Sequence, residues 1–211
     1  MFRNRADAGR ALGERLAVLG YERPIVFGIP RGGVIVAAEV ARRLECALDV
    51  IVPAKIRAPG QPELGVGAVA PDGSTYLDEE TISVLRVSEE YLKREIEERK
   101  AEIVRRTEAY RGDRPPPSVG DKQAIVVDDG VATGGTAIAA ARSVRASGPA
   151  QVILAVPVAP PASIPRLEIE VDTLVCLATP EPFMAVGAWF DDFGQVSDEE
   201  VRAAVQQGVS S

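Results

Sequence analysis

Two short glycine-rich turns, each set between an apolar strand and a helix, constrain this chain more than any other feature. In the first, the buried strand at residues 24–27 ends in Gly28-Ile-Pro-Arg-Gly-Gly33, a helix follows over 33–46, and Leu48-Asp-Val-Ile-Val52 is the next strand. Strand, turn, helix, strand is a βαβ unit, which requires a parallel sheet and a right-handed crossover. In the second, the strand at 124–127 runs into Asp128-Asp-Gly-Val-Ala-Thr-Gly-Gly-Thr136, and an alanine-rich helix follows to about residue 146, with Gly148 at C′ and Pro149 as a stop. Residues 152–156 and 173–177 read as further buried strands, with a short helix over 160–167 between them. The pattern predicts an α/β fold: a doubly wound, mainly parallel sheet flanked by helices. Such sheets bind ligands at the carboxyl ends of their strands, so both turns belong on one edge of the sheet.

The remaining segments are arranged around that core. Residues 3–19 form an amphipathic helix, with Ala8, Leu12, Leu16 and Leu19 at helical spacing. Residues 56–64 hold two prolines, a glycine and few apolar groups, and read as a mobile loop. Residues 65–70 and 74–77 flank the turn Pro71-Asp-Gly73, as in a hairpin. Asp78 caps a short helix to about residue 85, and Ser88 caps a longer one to about 110. On the longer helix only Leu92, Ile96, Ile103 and Tyr110 make a stripe. That predicts a largely solvated helix at the domain edge, with a dimer contact or a lid over the 56–64 loop as alternatives. Arg114-Pro-Pro-Pro117 is a rigid connector. The tail concentrates Phe183, Trp189, Phe190 and Phe193, and Ser197-Asp-Glu-Glu200 is a capping box opening a last helix. One domain over 1–211 is expected: a core at about 20–178, a helical insertion at about 79–112, and a hood at about 179–211.

Composition removes whole classes of chemistry. The 211 residues include no histidine, so no Ser-His-Asp triad, Cys-His dyad or histidine-held metal is available. A formal charge of -7 argues against a nucleic-acid footprint, which needs a basic face. Cys46 and Cys176 stand far apart in apolar stretches and read as reduced core thiols. The first twenty residues carry charge throughout, and no apolar run approaches the ~18 residues of a membrane span. A soluble, cytoplasmic protein is expected.

The second turn has specific chemistry. Its glycines let the backbone approach a ligand, and successive N–H groups leading into a helix N-terminus form an anion site. Thr133 and Thr136 add hydroxyls, and residues 130–136 carry no negative charge. Asp128 and Asp129, just past the strand end, can accept hydrogen bonds from vicinal hydroxyls or hold a hydrated metal. A phosphate site beside a diol site describes a ribose 5-phosphate group. A Walker A loop is excluded because the turn has no lysine. Gly65-Val-Gly-Ala-Val-Ala70 fits G-x-G-x-x-A, but it lacks the preceding strand and following helix of a dinucleotide site.

Ile125-Val-Val-Asp-Asp-Gly-Val-Ala-Thr-Gly-Gly-Thr136 resembles the phosphoribosyl pyrophosphate (PRPP) motif of type I phosphoribosyltransferases, and most of residues 20–195 follow that family's layout. The resemblance implies Mg²⁺-dependent transfer of a 5-phosphoribosyl group from PRPP to a nitrogenous base or amine, with release of pyrophosphate. It assigns ribose and catalytic roles to Asp128 and Asp129. Gly130, Val131, Ala132, Thr133, Gly134, Gly135 and Thr136 fall at the 5-phosphate, and Pro30, Arg31, Gly32 and Gly33 at the pyrophosphate, in a loop where the family often has a non-proline cis peptide. Lys55 and Arg57 correspond to the flexible catalytic loop. Phe183, Trp189, Phe190 and Asp191 are candidates for the base, with Asp192 as an alternative to Asp191. Mg²⁺ would be held mainly by PRPP and water, with Asp128, Asp129 and Asp191 as candidate ligands. The family also implies a homo-oligomer, for which the stripe on the long helix is the candidate face. A domain that senses PRPP or a nucleotide without turnover is the alternative reading, and a phosphosugar hydrolase a third.

Overall fold

The computed structural model describes residues 1–208, with the side chains of Pro62 and Glu63 left out. The last three positions of the expected 1–211 domain and its hood lie outside the described residues. In chain order the elements are α1 (Arg5–Ala17), β1 (Pro24–Gly28), α2 (Gly32–Leu44), β2 (Ala47–Val50), β3 (Ala54–Ala58), β4 (Gln61–Val69), β5 (Thr75–Leu77), α3 (Glu79–Leu85), α4 (Glu89–Arg111), β6 (Gln123–Val127), α5 (Gly135–Ala146), β7 (Gln151–Val158), α6 (Ile164–Glu168), β8 (Thr173–Ala178) and α7 (Asp198–Gln207). Single 3₁₀ turns sit at Pro161–Ser163 and Val186–Trp189.

Five strands form one parallel sheet in the order β2-β1-β6-β7-β8. Its strands alternate between two apolar layers, because successive strand residues point to opposite faces. Ile25, Phe27, Val126 and Leu154 pack under Ile138 and Val144 of α5 and Leu167 of α6. Val26, Ile125 and Ile153 pack under Leu12 and Leu16 of α1 and Val36 and Val40 of α2. This is the doubly wound arrangement that the sequence pattern predicts.

Three antiparallel strands, β3-β4-β5, form a second sheet. Here the reading of 56–64 as a loop is corrected: the segment is strand on both sides of a turn at Pro59 and Gly60. Along β3 the residues alternate, with Ala54, Ile56 and Ala58 buried, Lys55 half-buried and Arg57 exposed. The apolar cover is remote in sequence. Ile103, Leu92 and Ile96 of α4 close over Ile56, Val66 and Val69. The stripe on α4 is therefore spent inside the chain, which removes it as a dimer face. Gly65–Ala70, the apparent dinucleotide pattern, runs along β4 and on into the β4–β5 turn.

Helix α4 is also pinned at its end. Arg111 Nε donates to Asp49 Oδ2 at 3.0 Å, and its Nη2 donates to the Val50 carbonyl at 3.2 Å. Tyr110 Oη donates to Asp198 Oδ1 of α7 at 2.7 Å. No helix among the described residues is long and apolar enough to cross a membrane.

Candidate active site

The chain leaves β1 toward β2 on one side and resumes on the other side at β6, so the sheet order reverses between β1 and β6. A crevice opens at such a switch point, and both glycine-rich turns lie in it. They touch: the Ile29 N–H donates to the Val127 carbonyl at 2.9 Å. A Cβ on Gly33 would sit 2.8 Å from Asp128 Cα, and one on Gly32 would run into the Asp129 carboxylate. Only glycine allows the loops this close. The Pro30–Arg31 peptide in the first loop is cis.

The helices that open at these loops differ from four of the others. α1, α3, α4 and α7 begin with side-chain caps from Asn4, Asp78, Ser88 and Ser197, and each has acids in its first turn. Among the described residues, α2 and α5, like the five-residue α6, have neither a side-chain cap nor a first-turn acid. Their N-terminal amides and positive dipole ends are left for an anion. Gly134, at φ 87°, makes the left-handed turn into α5. One assigned amide is corrected: the Val131 N–H donates to the Val158 carbonyl at 2.9 Å and its side chain is buried, so Val131 has no donor left for a phosphate. Ala132 and Thr133 are exposed, Gly135 and Thr136 are half-buried, and all four lie in the turn that enters α5.

The two acids stand in different environments. Asp128 Oδ1 accepts the Asp129 N–H at 2.8 Å. Burial, and then the neighbouring Asp129 charge, pushes the Asp128 carboxyl well above the ordinary carboxylate range. Asp129 Oδ2 accepts from Arg5 Nε at 2.6 Å. Arg5 also donates from Nη1 to the Gly194 carbonyl at 2.7 Å and lies 3.7 Å over the Phe193 ring. Sequence reading misses Arg5, which looks like one more solvent-facing charge on an amphipathic helix.

Three recesses follow one another along the cleft. Thr133, Gly135, Thr136, Tyr76 and Lys55 line the first, together with Arg166 of α6. Lys55 and Arg57 meet Pro30 and Thr136 around the second, of about 480 Å³. Arg99, Glu102 and Arg106 of α4 complete that wall. Arg31 and Pro30 line the third, of about 670 Å³, with Arg105, Arg106, Tyr110 and Asp198. α4 is thus a wall of the cleft. Its arginines escape notice in the sequence because charges spaced three and four apart on a helix read as a solvated face.

The hood is partly corrected. Phe190 is 6% exposed, with its ring 5.5 Å from Phe2 and 4.9 Å from Phe193. Its faces are covered, so it leaves the set of base-stacking candidates and belongs to a local core. Phe183 and Trp189 remain half-buried at the edge of that cluster. Asp191 is exposed, and its N–H donates to the Phe2 carbonyl at 2.9 Å. No group of three His, Cys, Asp or Glu among the described residues could by itself cage a metal. Mg²⁺ needs fewer protein ligands, since it keeps waters and takes substrate phosphates alongside one or two carboxylates; Asp128 and Asp129, adjacent at the end of β6, are enough carboxylates for that smaller role.

Fold and site together define a doubly wound α/β domain built around an anion-binding switch point with a paired-acid edge. Residues 3–182 match the model of the phosphoribosyl transferase domain, and the chain belongs to that family. Two curated Mycobacterium tuberculosis relatives, each provisionally named a phosphoribosyl transferase, are 42% identical over 203 residues; the match covers 96% of this chain and 46% of theirs. The chain thus spans less than half the length of these relatives. The crystal structure of a Thermus thermophilus protein, TT1426, is 43% identical, with a TM-score of 0.83 and full coverage of both chains. A Neisseria gonorrhoeae hypothetical protein, crystallised with ppGpp, shares the fold at 12% identity and a TM-score of 0.50, over 97% of this chain and 92% of that one.

Proposed function

We propose that this chain is a phosphoribosyltransferase that transfers the 5-phosphoribosyl group of PRPP to a nitrogenous base or amine and releases pyrophosphate. The observation that carries the reading is the meeting of two uncapped helix N-termini, α2 and α5, on either side of Asp128 and Asp129. One anion site suits the 5-phosphate, the other the pyrophosphate, and the acids between them suit the ribose hydroxyls.

The roles follow from the donor groups. Amides of residues 132–136, with the Thr133 and Thr136 hydroxyls, hold the 5-phosphate. Asp129 gives Oδ2 to Arg5, which leaves Oδ1 for a ribose hydroxyl. The acids also favour the positive charge that develops on the sugar as the anomeric C–O bond breaks. Arg31, Lys55 and Arg57 neutralise the departing pyrophosphate, an electrostatic contribution worth about 3–4 kcal/mol per contact in comparable oxyanion sites. Asp128, Asp129 and, through water, Asp191 would hold the Mg²⁺ that enters with the donor's phosphates, and the ion would supply further charge neutralisation there. Phe183 and Trp189 offer the planar faces for the acceptor.

Calorimetric titration with PRPP, with and without Mg²⁺, tests the reading. Binding that tightens with Mg²⁺, followed by pyrophosphate release in the presence of one of a panel of bases, is the expected result. Absence of binding in both conditions overturns it.

A further inference from the structure

Two guanidinium groups reach the cleft from outside both glycine-rich loops. We infer that Arg166 of α6 and Arg106 of α4 are end-specific ligands of the donor, Arg166 for its 5-phosphate and Arg106 for its pyrophosphate. The inference deepens the donor reading above and rests on it.

Arg166 is a half-buried cation without a counter-ion. Its Nε is buried and has no hydrogen-bond partner, and among the described residues no carboxylate forms an ion pair with it. Its Nη2 lies 3.5 Å from Ser163 Oγ, which itself donates to the Ala132 carbonyl at 3.0 Å and so ties this arginine's turn to the phosphate loop. A Cβ on Gly134 would sit 3.5 Å from Arg166 Nε, so the guanidinium lies against the entry to α5. Asp78, the acid in that recess, is engaged as the cap of α3 through Thr81 N–H. Holding a half-buried guanidinium unpaired is costly, and a phosphate beside Thr133 and Thr136 offsets that cost with charge-assisted bonds.

Arg106 joins the second and third recesses and lines both beside Pro30. Its nearest carboxylate is Glu102 Oε1 at 3.6 Å, and it lies over the Tyr110 ring at 5.7 Å. Tyr110 bonds Asp198, whose Oδ1 is 3.9 Å from Arg31 Nη1. α4 and the pyrophosphate loop are thus linked through α7, with one arginine on each side of the recess. Arg99 differs: Glu95, Glu98 and Glu102 all pair with it, so it braces the helix.

Two probes separate the ends. Ribose 5-phosphate has no pyrophosphate, and inorganic pyrophosphate has no sugar. Their affinities are measured, with Mg²⁺, for the full chain and for Arg166→Gln, Arg106→Gln, Arg106→Lys and the surface control Lys93→Gln. Removing a hydrogen-bonded charge weakens binding by about ten-fold or more. We expect R166Q to lose that factor for ribose 5-phosphate alone and R106Q for pyrophosphate alone. R106K, with the charge kept and the planar fork lost, should fall between. Wild-type-like affinities in both glutamine variants overturn the inference while leaving the donor reading intact. Equal losses for both probes overturn the end-specific assignment. A wild-type chain that binds neither probe overturns the donor reading and the inference with it. Circular dichroism melts confirm that each variant is folded, and R106K keeps the α4 arm decisive if R106Q is not.

Discussion

Arg5 Nε donates to Asp129 Oδ2 across 2.6 Å, and both side chains are mostly withdrawn from water, at 13% and 16% exposure. This one bond fastens the first helix to the acid edge of the cleft. Exposed ion pairs contribute at most about 1 kcal/mol, whereas removing one partner of a buried pair costs about 3–5. Arg5→Gln should therefore cost about 2–3 kcal/mol in a urea melt, and pyrophosphate release should fall with it, because the Asp129 carboxylate loses its anchor. A variant as stable as the parent would show that the pair adds nothing.

Asp128 should be worth more to activity than to stability. Its carboxyl titrates well above the ordinary range because of burial, then the Asp129 charge. The folded chain thus holds a proton that the unfolded chain has released, and stability falls as pH rises from about 4 toward the raised value. Asp128→Asn stays neutral and keeps an oxygen for the Asp129 N–H. It should melt higher than the parent at pH 7 and no higher at pH 3. A lower melting point at pH 7 would contradict this. Asp128→Asn with Asp129→Asn should stay folded and lose turnover.

Arg111→Ala should be among the most damaging changes on α4. It leaves Asp49, 5% exposed, without the guanidinium that bonds it from Nε and Nη2. A loss of about 3–5 kcal/mol is expected in denaturant unfolding. A loss below 1 kcal/mol would mean that water reaches Asp49.

The thiols should be unreactive. Burial pushes Cys46 up to about 11 and raises Cys176 as well. Near pH 8 the Cys46 thiolate is then only about one part in a thousand, so a thiol reagent should label the native chain far more slowly than the denatured one.

The parallel core and both loops are readable because each is local: an apolar run, a glycine turn and a helix within about thirty residues. The small sheet is not. Ala54, Ile56 and Ala58 do alternate with Lys55 and Arg57, but Pro53, Pro59 and Gly60 mask the pattern, and the cover comes from Leu92, Ile96 and Ile103 on a distant helix. The site divides the same way. Asp128, Asp129 and the glycines announce themselves as contiguous residues. Arg5 lies 124 positions from its partner, and Arg106 and Arg166 stand on helices whose charges have no local tell. Phe190 reads wrongly from sequence because an aromatic residue at a cleft and one in a core look alike until Phe2 is brought against it.

Phe2 and Phe190 form a parallel bridge, and Arg5 reaches the Gly194 carbonyl from 189 positions away. In vectorial synthesis, the groove would have its floor long before its roof. A growing chain halted before residue 190 would carry both glycine loops and the acid pair, with the Arg5 guanidinium deprived of its Phe193 platform and its carbonyl. Such nascent chains should capture phosphate compounds more loosely than chains that carry residues 190–194, because those residues hold the Arg5 guanidinium against Asp129.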